Sequence, residues 1–406
     1  MYLKKTSFSL LFLFLSTISI SAAEPVAGYK LYGFIRSDFY INSRSNFQAQ
    51  DGLFNILPKP IELNANGSDI NAIPEAEMLS ILSRFGLDFT GAPVLGAKTT
   101  AKVECDFAGF STSYYVMRLR QAFIKLNWSQ TELLVGQTWH PMFGNVLPSI
   151  QSGSAGSPFQ PFNRSPQLRL KQNLNESLSL TGSAIYQMQY TSQGPSGSSA
   201  SYLKSSLLPN LFLGLENKNK IWTTGIGLDI KRIKIKHQFN TSASAQAYAQ
   251  YINNNWQIKA KATLGENMSD HMMIGGYGVS GKDSTYNEDT FTNFNTLTSW
   301  INIVYGQKIQ AGIFAGLSQN MGTNKDLITN ASGKFIAYGN GLYDQQLVDN
   351  LYRFTPHLTY SLSNFRLGVE YELTTASYGT LKANGRVKNP YNISNHRAMA
   401  TISYIF

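Results

Sequence analysis

Charged side chains recur at alternate positions in several segments of the sequence, and this spacing limits what they can do. Between residues 97 and 107, Lys98, Lys102, Glu104 and Asp106 fall on one face of an extended chain, and apolar residues fall on the other. Residues two apart share a face of a β-strand. Several charges on one face cannot lie in a dry core without partners, because burying an unpaired charge is very costly. This face is therefore predicted to contact water, either on the surface of a soluble protein or along an aqueous channel.

The same alternation along the chain assigns a larger set of side chains to the polar faces of predicted strands. Rings of basic side chains in a pore raise the local concentration of anions. Because bases outnumber acids in the set, we predict a channel with a modest preference for anions. As an alternative, Glu370 and Glu372 pair with Arg366, Arg353 or Arg397 on adjacent strands and only brace the wall. The predicted channel-lining residues are Lys98, Lys102, Glu104, Asp106, Arg169, Lys171, Lys259, Lys261, Arg353, Arg366, Glu370, Glu372 and Arg397.

One predicted strand, residues 116–128, does not follow the alternation. Arg118 and Arg120 share parity with Ile124 and its apolar neighbours. A β-bulge near Gln121 would change the register and turn both arginines inward. Alternatively, this strand faces another subunit instead of lipid. Arg118 and Arg120 are therefore candidates for either lumen or trimer contacts.

Catalytic and metal-binding patterns are weak in this sequence. The sole cysteine, Cys105, excludes an intramolecular disulfide framework and a cysteine-based metal cluster. A hydrolytic Ser–His arrangement on a lipid-facing patch needs a histidine on that face, and only His396 is placed near it. We therefore expect no enzymatic activity, no cofactor and no metal. The five histidines, which show no metal-binding spacing, are His140, His237, His271, His357 and His396.

The elements that position these side chains are strands, and the last segment shows the pattern most clearly. In residues 395–406, Ile402, Tyr404 and Phe406 lie on one face and Arg397 lies on the other. A terminal strand of a soluble sandwich can look similar, but an apolar face ending in aromatics is typical of an outer-membrane barrel. An aromatic pattern ending in a C-terminal Phe also resembles the assembly signal of bacterial outer-membrane proteins.

Connections between the predicted strands alternate between short turns and longer loops. Short periplasmic turns and long external loops are typical of a transmembrane barrel, whereas a soluble sandwich has no reason to keep this alternation through successive hairpins. We predict an all-β fold, a 16-stranded antiparallel transmembrane β-barrel, and barrels of this size leave an aqueous channel. The long loop at residues 140–166, after the fifth strand, is predicted to fold inward and narrow the pore. A basic segment, residues 231–237, follows the ninth strand.

The first residues have the features of a cleavable secretory signal. Lys4 and Lys5 precede an apolar run over residues 8–20, and the small residues 21–23 follow it. The run is shorter than the roughly 20 residues that a membrane-spanning helix needs. We therefore predict a signal peptide at residues 1–23 and one barrel domain at residues 24–406.

The formal charge of the chain is +10, and removal of Lys4 and Lys5 leaves +8. A basic protein often binds nucleic acid, but an exported protein rarely meets it. Small anionic or polar solutes, outer-membrane lipid and lipopolysaccharide are the more plausible partners. Insertion would also require the outer-membrane assembly machinery.

Three segments resemble the DcaP-like family of trimeric outer-membrane porins. They read RLRQAFIKLNW at residues 118–128, LLVGQTWHPMF at residues 133–143 and NHRAMATISYIF at residues 395–406. The resemblance in layout extends over essentially the whole mature chain, and residues 136–139 are its most specific part. It implies a 16-stranded homotrimer in the outer membrane of a Gram-negative bacterium that passes small, preferably anionic solutes such as dicarboxylates. Family members often carry a helical extension before the barrel, which is expected to be absent here.

Two other functions agree with parts of the same pattern. The first is a substrate-specific channel for one anionic nutrient, which would differ from a general porin in showing solute-dependent block. The second is a secreted all-β binding protein or adhesin, which would fractionate as a soluble protein.

Overall fold

The computed structural model describes residues 28–109 and 116–406, and the predicted signal peptide lies outside these ranges. The described chain forms a closed antiparallel barrel of 16 strands, which confirms the predicted fold class. In chain order, the barrel strands are β1 (Gly28–Asn42), β2 (Arg84–Thr90), β3 (Lys98–Asp106), β4 (Arg118–Asn127), β5 (Thr131–Trp139), β6 (Arg164–Asn173), β7 (Leu178–Ile185), β8 (Asn210–Lys218), β9 (Trp222–Ile235), β10 (Gln238–Asn253), β11 (Trp256–Glu266), β12 (Asp289–Gly306), β13 (Ile309–Thr323), β14 (Gln346–Leu362), β15 (Phe365–Leu381) and β16 (Val387–Ile405).

The barrel closes where β1 pairs with both β2 and β16. The first half of β1 pairs with β2, and its second half, from Phe34 onward, pairs with β16. Gly33 and Phe406 exchange two backbone hydrogen bonds of 3.0 and 3.1 Å at this seam. A Cβ atom on Gly33 would lie 2.3 Å from the carbonyl oxygen of Arg84. The seam therefore requires glycine at this position.

The wall is apolar outside and polar inside, the reverse of a soluble protein. On β15, Leu367 and Val369 are 44% and 52% exposed on the outer face, whereas Glu370, which faces inward, is 6% exposed. A barrel in a bilayer has this arrangement because hydrocarbon surrounds it and water fills it. Aromatic pairs, such as Trp256 with Tyr305, flank the short turns at one rim, with ring centroids 4.8 Å apart.

Strand β4 contains a β-bulge, which was one of the two alternatives for this strand. Glu104 pairs with Gln121 and Cys105 pairs with Leu119, so Arg120 is the extra residue. Leu119 is 49% exposed on the outer face, while Arg118 and Arg120 both contact acids inside the barrel. Of the two alternatives for Arg118 and Arg120, the structure favours the lumen, because the bulge turns both side chains inward.

One rim carries short turns and the other carries long loops, as predicted. Within residues 28–109 and 116–406, no helix has the length and apolarity needed to cross a bilayer. The remaining elements include short strands, of which Glu75–Leu79 pairs with β1, Gly275–Lys282 with β12 and Leu342–Tyr343 with β14. The others are the strands Asn46–Ala49, Phe54–Pro58 and Ala337–Asn340, an α-helix at Ser201–Ser205 and a 3₁₀-helix at Met268–His271.

Two of the long loops fold into the barrel and build apolar clusters there. The loop at residues 140–163, hereafter the constriction loop, buries Phe143 and Phe162 against Phe54 of the first long loop, residues 43–74. Its Phe159 packs with Phe314 in a second cluster. The prediction that the constriction loop folds inward is confirmed. The inward course of the first long loop was not predicted.

Candidate functional site: the channel interior

The interior wall has two unequal halves. The two inward loops pack against β11 to β16, and basic side chains there are almost fully covered: Lys261 is 3% exposed and Arg353 is 2% exposed. On the opposite half, β2 to β8, the side chains of Lys102 and Lys171 are 25% and 35% exposed. Lys102 and Lys171 therefore reach water on this second half, which we call the open wall, while Glu104, Asp106 and Arg120 are buried there by their mutual ion pairs.

Anchoring of the constriction loop explains why charges lie under it. Glu370 accepts hydrogen bonds from the backbone N–H groups of Gln151 (2.6 Å) and Ser152 (3.2 Å). The Nζ atom of Lys261 donates to the carbonyl oxygen of Phe143 at 2.6 Å. Lys259 Nζ lies 2.7 Å from the hydroxyl of Ser149 in the same loop. A buried charge needs hydrogen-bond partners, and so do the N–H and C=O groups of a buried loop, so each satisfies the other here.

The first long loop is anchored in the same way. Arg353 donates to the carbonyl oxygens of Asn55 (2.6 Å) and of Ser157 in the constriction loop (3.0 Å). Glu372 accepts from the side-chain amide of Asn55 and lies 3.3 Å from Arg353. Arg397 donates to the carbonyl oxygen of Gly52 at 2.7 Å. Arg353 thus connects both loops to the wall.

These contacts correct part of the predicted channel lining. The residues concerned face the barrel interior, as their parity requires, but the loops cover them and their polar atoms bind loop groups instead of open water. The bracing alternative holds for Glu372, which pairs with Arg353, whereas Glu370 binds loop amides. The covered residues are Lys259, Lys261, Arg353, Glu370, Glu372 and Arg397.

A cluster of arginines and acids lies on the open wall. Asp106 accepts from Nε and Nη2 of Arg118, at 2.6 and 2.9 Å, and from Nη1 of Arg120 at 2.6 Å. Glu104 accepts from Nε of Arg120 at 2.7 Å, and Arg84 lies 4.0 Å from it. Three guanidinium groups thus share two carboxylates, which leaves the cluster with a net positive charge.

A fourth arginine, Arg164, adds to this charge and was missed by sequence reasoning. It is 1% exposed, its guanidinium lies 4.6 Å from the ring of Trp139, and its Nε donates to Gln189 at 2.7 Å. Its two terminal nitrogens have no hydrogen-bond partner within the described ranges. Arg164 belongs to a stretch predicted as loop, where strand parity gave no signal.

The other predicted residues of the open wall are spread along its height. Lys102 pairs with Asp88 at 2.9 Å, and Lys171 lies 3.9 Å from Glu216. Arg169 donates to the carbonyl oxygen of Trp139 and therefore braces the wall. Lys98 of the open wall lies toward the short-turn rim and is exposed, as is Arg366 on β15 of the other half.

Lys125 is a further inward base on the open wall, where it pairs with Glu132 at 2.9 Å. Sequence reasoning missed it because the bulge at Arg120 reverses the parity of the rest of β4. The bulge itself was one of the two alternatives for this strand, so choosing it would have identified Lys125.

Two cavities border the inward loops. The cavity toward the short-turn rim has a volume of about 340 Å³ and is lined by Arg36, Gln151, His357 and Arg366, among others. The cavity toward the long-loop rim has a volume of about 560 Å³ and is lined by polar and apolar residues, among them Leu57 and Gln189. The constriction loop thus borders the first cavity, and the first long loop borders the second.

Two histidines that are distant in sequence meet at the start of the constriction loop. Donor atoms of His140, His271 and Asp229 lie within 4.8 Å of one another. The Nδ1 atom of His140 accepts from the N–H of Met142, and its Nε2 atom lies 2.9 Å from the side-chain amide of Asn210. Burial lowers the pKa of His271 to about 4 and holds the pKa of His140 well below its usual value. Both rings are therefore neutral near pH 7, and His140 holds the loop by hydrogen bonds.

Comparisons with known proteins identify the fold. No protein-family model and no curated protein matches the chain. Among solved structures, the outer membrane channel DcaP of Acinetobacter baumannii aligns with a TM-score of 0.69 and 18% identity, over 93% of this chain and 97% of that chain. The anion-selective porin from Comamonas acidovorans aligns with a TM-score of 0.54 and 11% identity, over 93% and 99% of the two chains.

The trimer form of OmpT from Vibrio cholerae aligns with a TM-score of 0.54 and 10% identity, over 93% of this chain and 99% of that chain. Likenesses at these identities show the fold alone. The chain has the fold of outer-membrane channels, and its resemblance to DcaP-like porins is confirmed at the level of fold.

Proposed function

We propose that this protein is a passive porin in the outer membrane of a Gram-negative bacterium, with a modest preference for small anions such as dicarboxylates. The observation that carries the proposal is the open wall beside the constriction loop, a polar path on which bases exceed acids. The bases described on it are Arg84, Lys98, Lys102, Arg118, Arg120, Lys125, Arg164, Arg169 and Lys171, and the acids are Asp88, Glu104, Asp106, Glu132 and Glu216.

The remaining parts of the proposal concern export and assembly. The chain is exported by a signal peptide at residues 1–23, inserted by the outer-membrane assembly machinery and surrounded by lipid and lipopolysaccharide. It forms a homotrimer, catalyses no reaction and uses no cofactor or metal. The exposed apolar outer face and the likeness to the trimer form of OmpT support this part.

Reversal of two open-wall charges tests the preference for anions. In the double variant Lys102→Glu, Lys171→Glu, we expect the reversal potential in a salt gradient to move toward cation preference, because both side chains contact the aqueous path. Planar-bilayer recordings of the purified protein give this potential. The matched control reverses Lys282 and Lys334, which lie exposed in the long loops. An unchanged potential in the open-wall variant would refute the assignment.

A substrate-specific channel for one anionic nutrient is the second candidate. It is favoured by the buried Arg164, whose terminal nitrogens have no partner in the described chain. Added solute distinguishes the two channels, because a specific channel shows solute-dependent block and a general porin stays ohmic. A secreted binding protein would instead appear in the soluble fraction and show no change in gel mobility on boiling.

A further inference from the structure

The basic segment at residues 231–237 is divided by the geometry of β9. Lys231 faces inward, where its Nζ lies 2.5 Å from Asp270. Arg232 and Lys234 belong to the outer face, and Lys236 occupies the turn that follows, with a φ of +54°. Of the four bases in this run, one therefore lies inside the barrel, two lie on its outer face and one lies in the adjoining turn.

These three bases continue a lipid-facing row on the same strand. Below them, Ile226, Leu228 and Ile230 are 60%, 58% and 53% exposed on the outer face, and Trp222 marks the short-turn rim. At about 3.3 Å per residue, Arg232 and Lys234 lie within roughly 7 to 13 Å of Ile230 along the strand. The cations therefore begin directly above the apolar band, at the level of lipid headgroups.

The outward bases are not neutralised within the protein. Among residues 28–109 and 116–406, none of the three forms an ion pair, whereas Lys282 and Lys334 in other long loops pair with acids. The guanidinium of Arg232 lies 3.9 Å from the ring centroid of Phe239, which is 45% exposed. Stacking on the ring holds this arginine at the surface, where its Nε atom is covered and its terminal nitrogens remain for a ligand.

Neighbouring elements adjoin this strand. The short helix Ser201–Ser205 lies on the other side of this strand, where it packs Leu203 against Ile233 on the inner face of β9. Leu207, just after the helix, is 83% exposed. Two acids lie on the neighbouring elements, fewer than the three outward bases: Glu288, which accepts from His237 and interacts with Lys236, and Glu266, which accepts from the N–H of Ala243 and from Asn324. Positive charge thus remains beside exposed apolar side chains.

We propose that Arg232, Lys234 and Lys236 form a docking surface for the phosphorylated headgroup of an outer-leaflet glycolipid of the lipopolysaccharide class. The phosphates bind the three bases, and the acyl chains lie against Ile226, Leu228 and Ile230. Arginine and lysine are the usual partners of phosphate, and the adjoining apolar row fits a lipid better than a soluble anion. The proposal rests on the outer-membrane location given above and adds a site for the lipid.

Binding of defined lipids to the purified full-length protein tests the docking surface. The variant Arg232→Gln, Lys234→Gln, Lys236→Gln is compared with the wild type by native mass spectrometry in detergent, using bisphosphorylated lipid A. We expect at least about a tenfold loss of affinity, because each base near an anionic lipid surface contributes several-fold. Lipid A without phosphates should bind both proteins equally.

The control variant Lys282→Gln, Lys325→Gln, Lys334→Gln removes the same number of charges from the long loops and should bind like the wild type. An equal loss in this control would overturn the site, as would bisphosphorylated lipid A binding within twofold of wild type in the first variant. Displacement of the lipid by millimolar inorganic phosphate would identify a free-anion site and refute the proposal. Bilayer conductance is measured on the same samples, so failure of the lipid site and failure of the porin function are distinguishable.

Discussion

Asp106 binds two arginines on the inner side of the wall, and its burial determines how much it contributes to the free energy of unfolding. The carboxylate is 0% exposed and accepts three hydrogen bonds from Arg118 and Arg120. Removing one partner of a buried ion pair typically costs about 3–5 kcal/mol, because the remaining charge is left uncompensated.

We therefore expect Asp106→Asn to lower the free energy of unfolding by about 3–5 kcal/mol, measured by denaturant titration in micelles. The control is Asp88→Asn on the neighbouring strand, since Asp88 pairs with Lys102 but is half-exposed. Exposed pairs contribute about 1 kcal/mol or less. Equal losses in the two variants would contradict the role assigned to Asp106.

Single residues also show where sequence reasoning stopped. Parity alone placed Lys102 and Glu104 inside the barrel, because strand β3 is regular. It could not decide the side of Arg118 and Arg120, since a one-residue bulge reverses every later side chain. It also could not tell that Lys261 is covered, because the cover comes from a loop without periodicity.

At the scale of elements, the constriction loop depends on a few charged anchors in the wall. Glu370 accepts two backbone N–H groups from the loop. In Glu370→Gln one of the two acceptor atoms becomes an amide nitrogen that donates, so one loop N–H loses its partner.

We expect the Glu370→Gln channel to show a larger or noisier single-channel conductance, because the loop segment at Gln151 is less tightly held. The control is Glu132→Gln, which removes a carboxylate from the open wall and has its partner in Lys125, away from the loop. Identical recordings for Glu370→Gln and the wild type would show that this anchor does not set the loop position.

The existence of the strands was predictable, but the positions where they end at the long-loop rim were not. They were located mainly from alternation between apolar and polar residues, which β4 does not follow. Residues 231–237 were predicted to follow the ninth strand, whereas in the structure β9 extends over Trp222–Ile235. Beyond the lipid band the two faces of a strand no longer differ in polarity, so the alternation fades while the hydrogen-bonded ladder continues.

For the whole molecule, the reversed polarity of the wall predicts which tryptophans contact hydrocarbon. Trp256 is 47% exposed on the outer face and Trp300 is 3% exposed inside the barrel. In variants that keep only one tryptophan, a brominated detergent should quench the emission of Trp256 strongly and that of Trp300 little. Equal quenching would contradict the assigned inside and outside of the barrel.

The apolar clusters beneath the inward loops are stabilised differently from the barrel wall, because the clusters pack inside the barrel and the wall lies in hydrocarbon. The wall is held by backbone hydrogen bonds in hydrocarbon, where water cannot replace them. The clusters around Phe143 and Phe159 are packed like the interior of a soluble protein, and urea weakens such packing by solvating apolar groups. Heating or urea is therefore expected to melt the loops before the wall opens. The constriction loop is then expected to unfold at a lower temperature than the barrel wall.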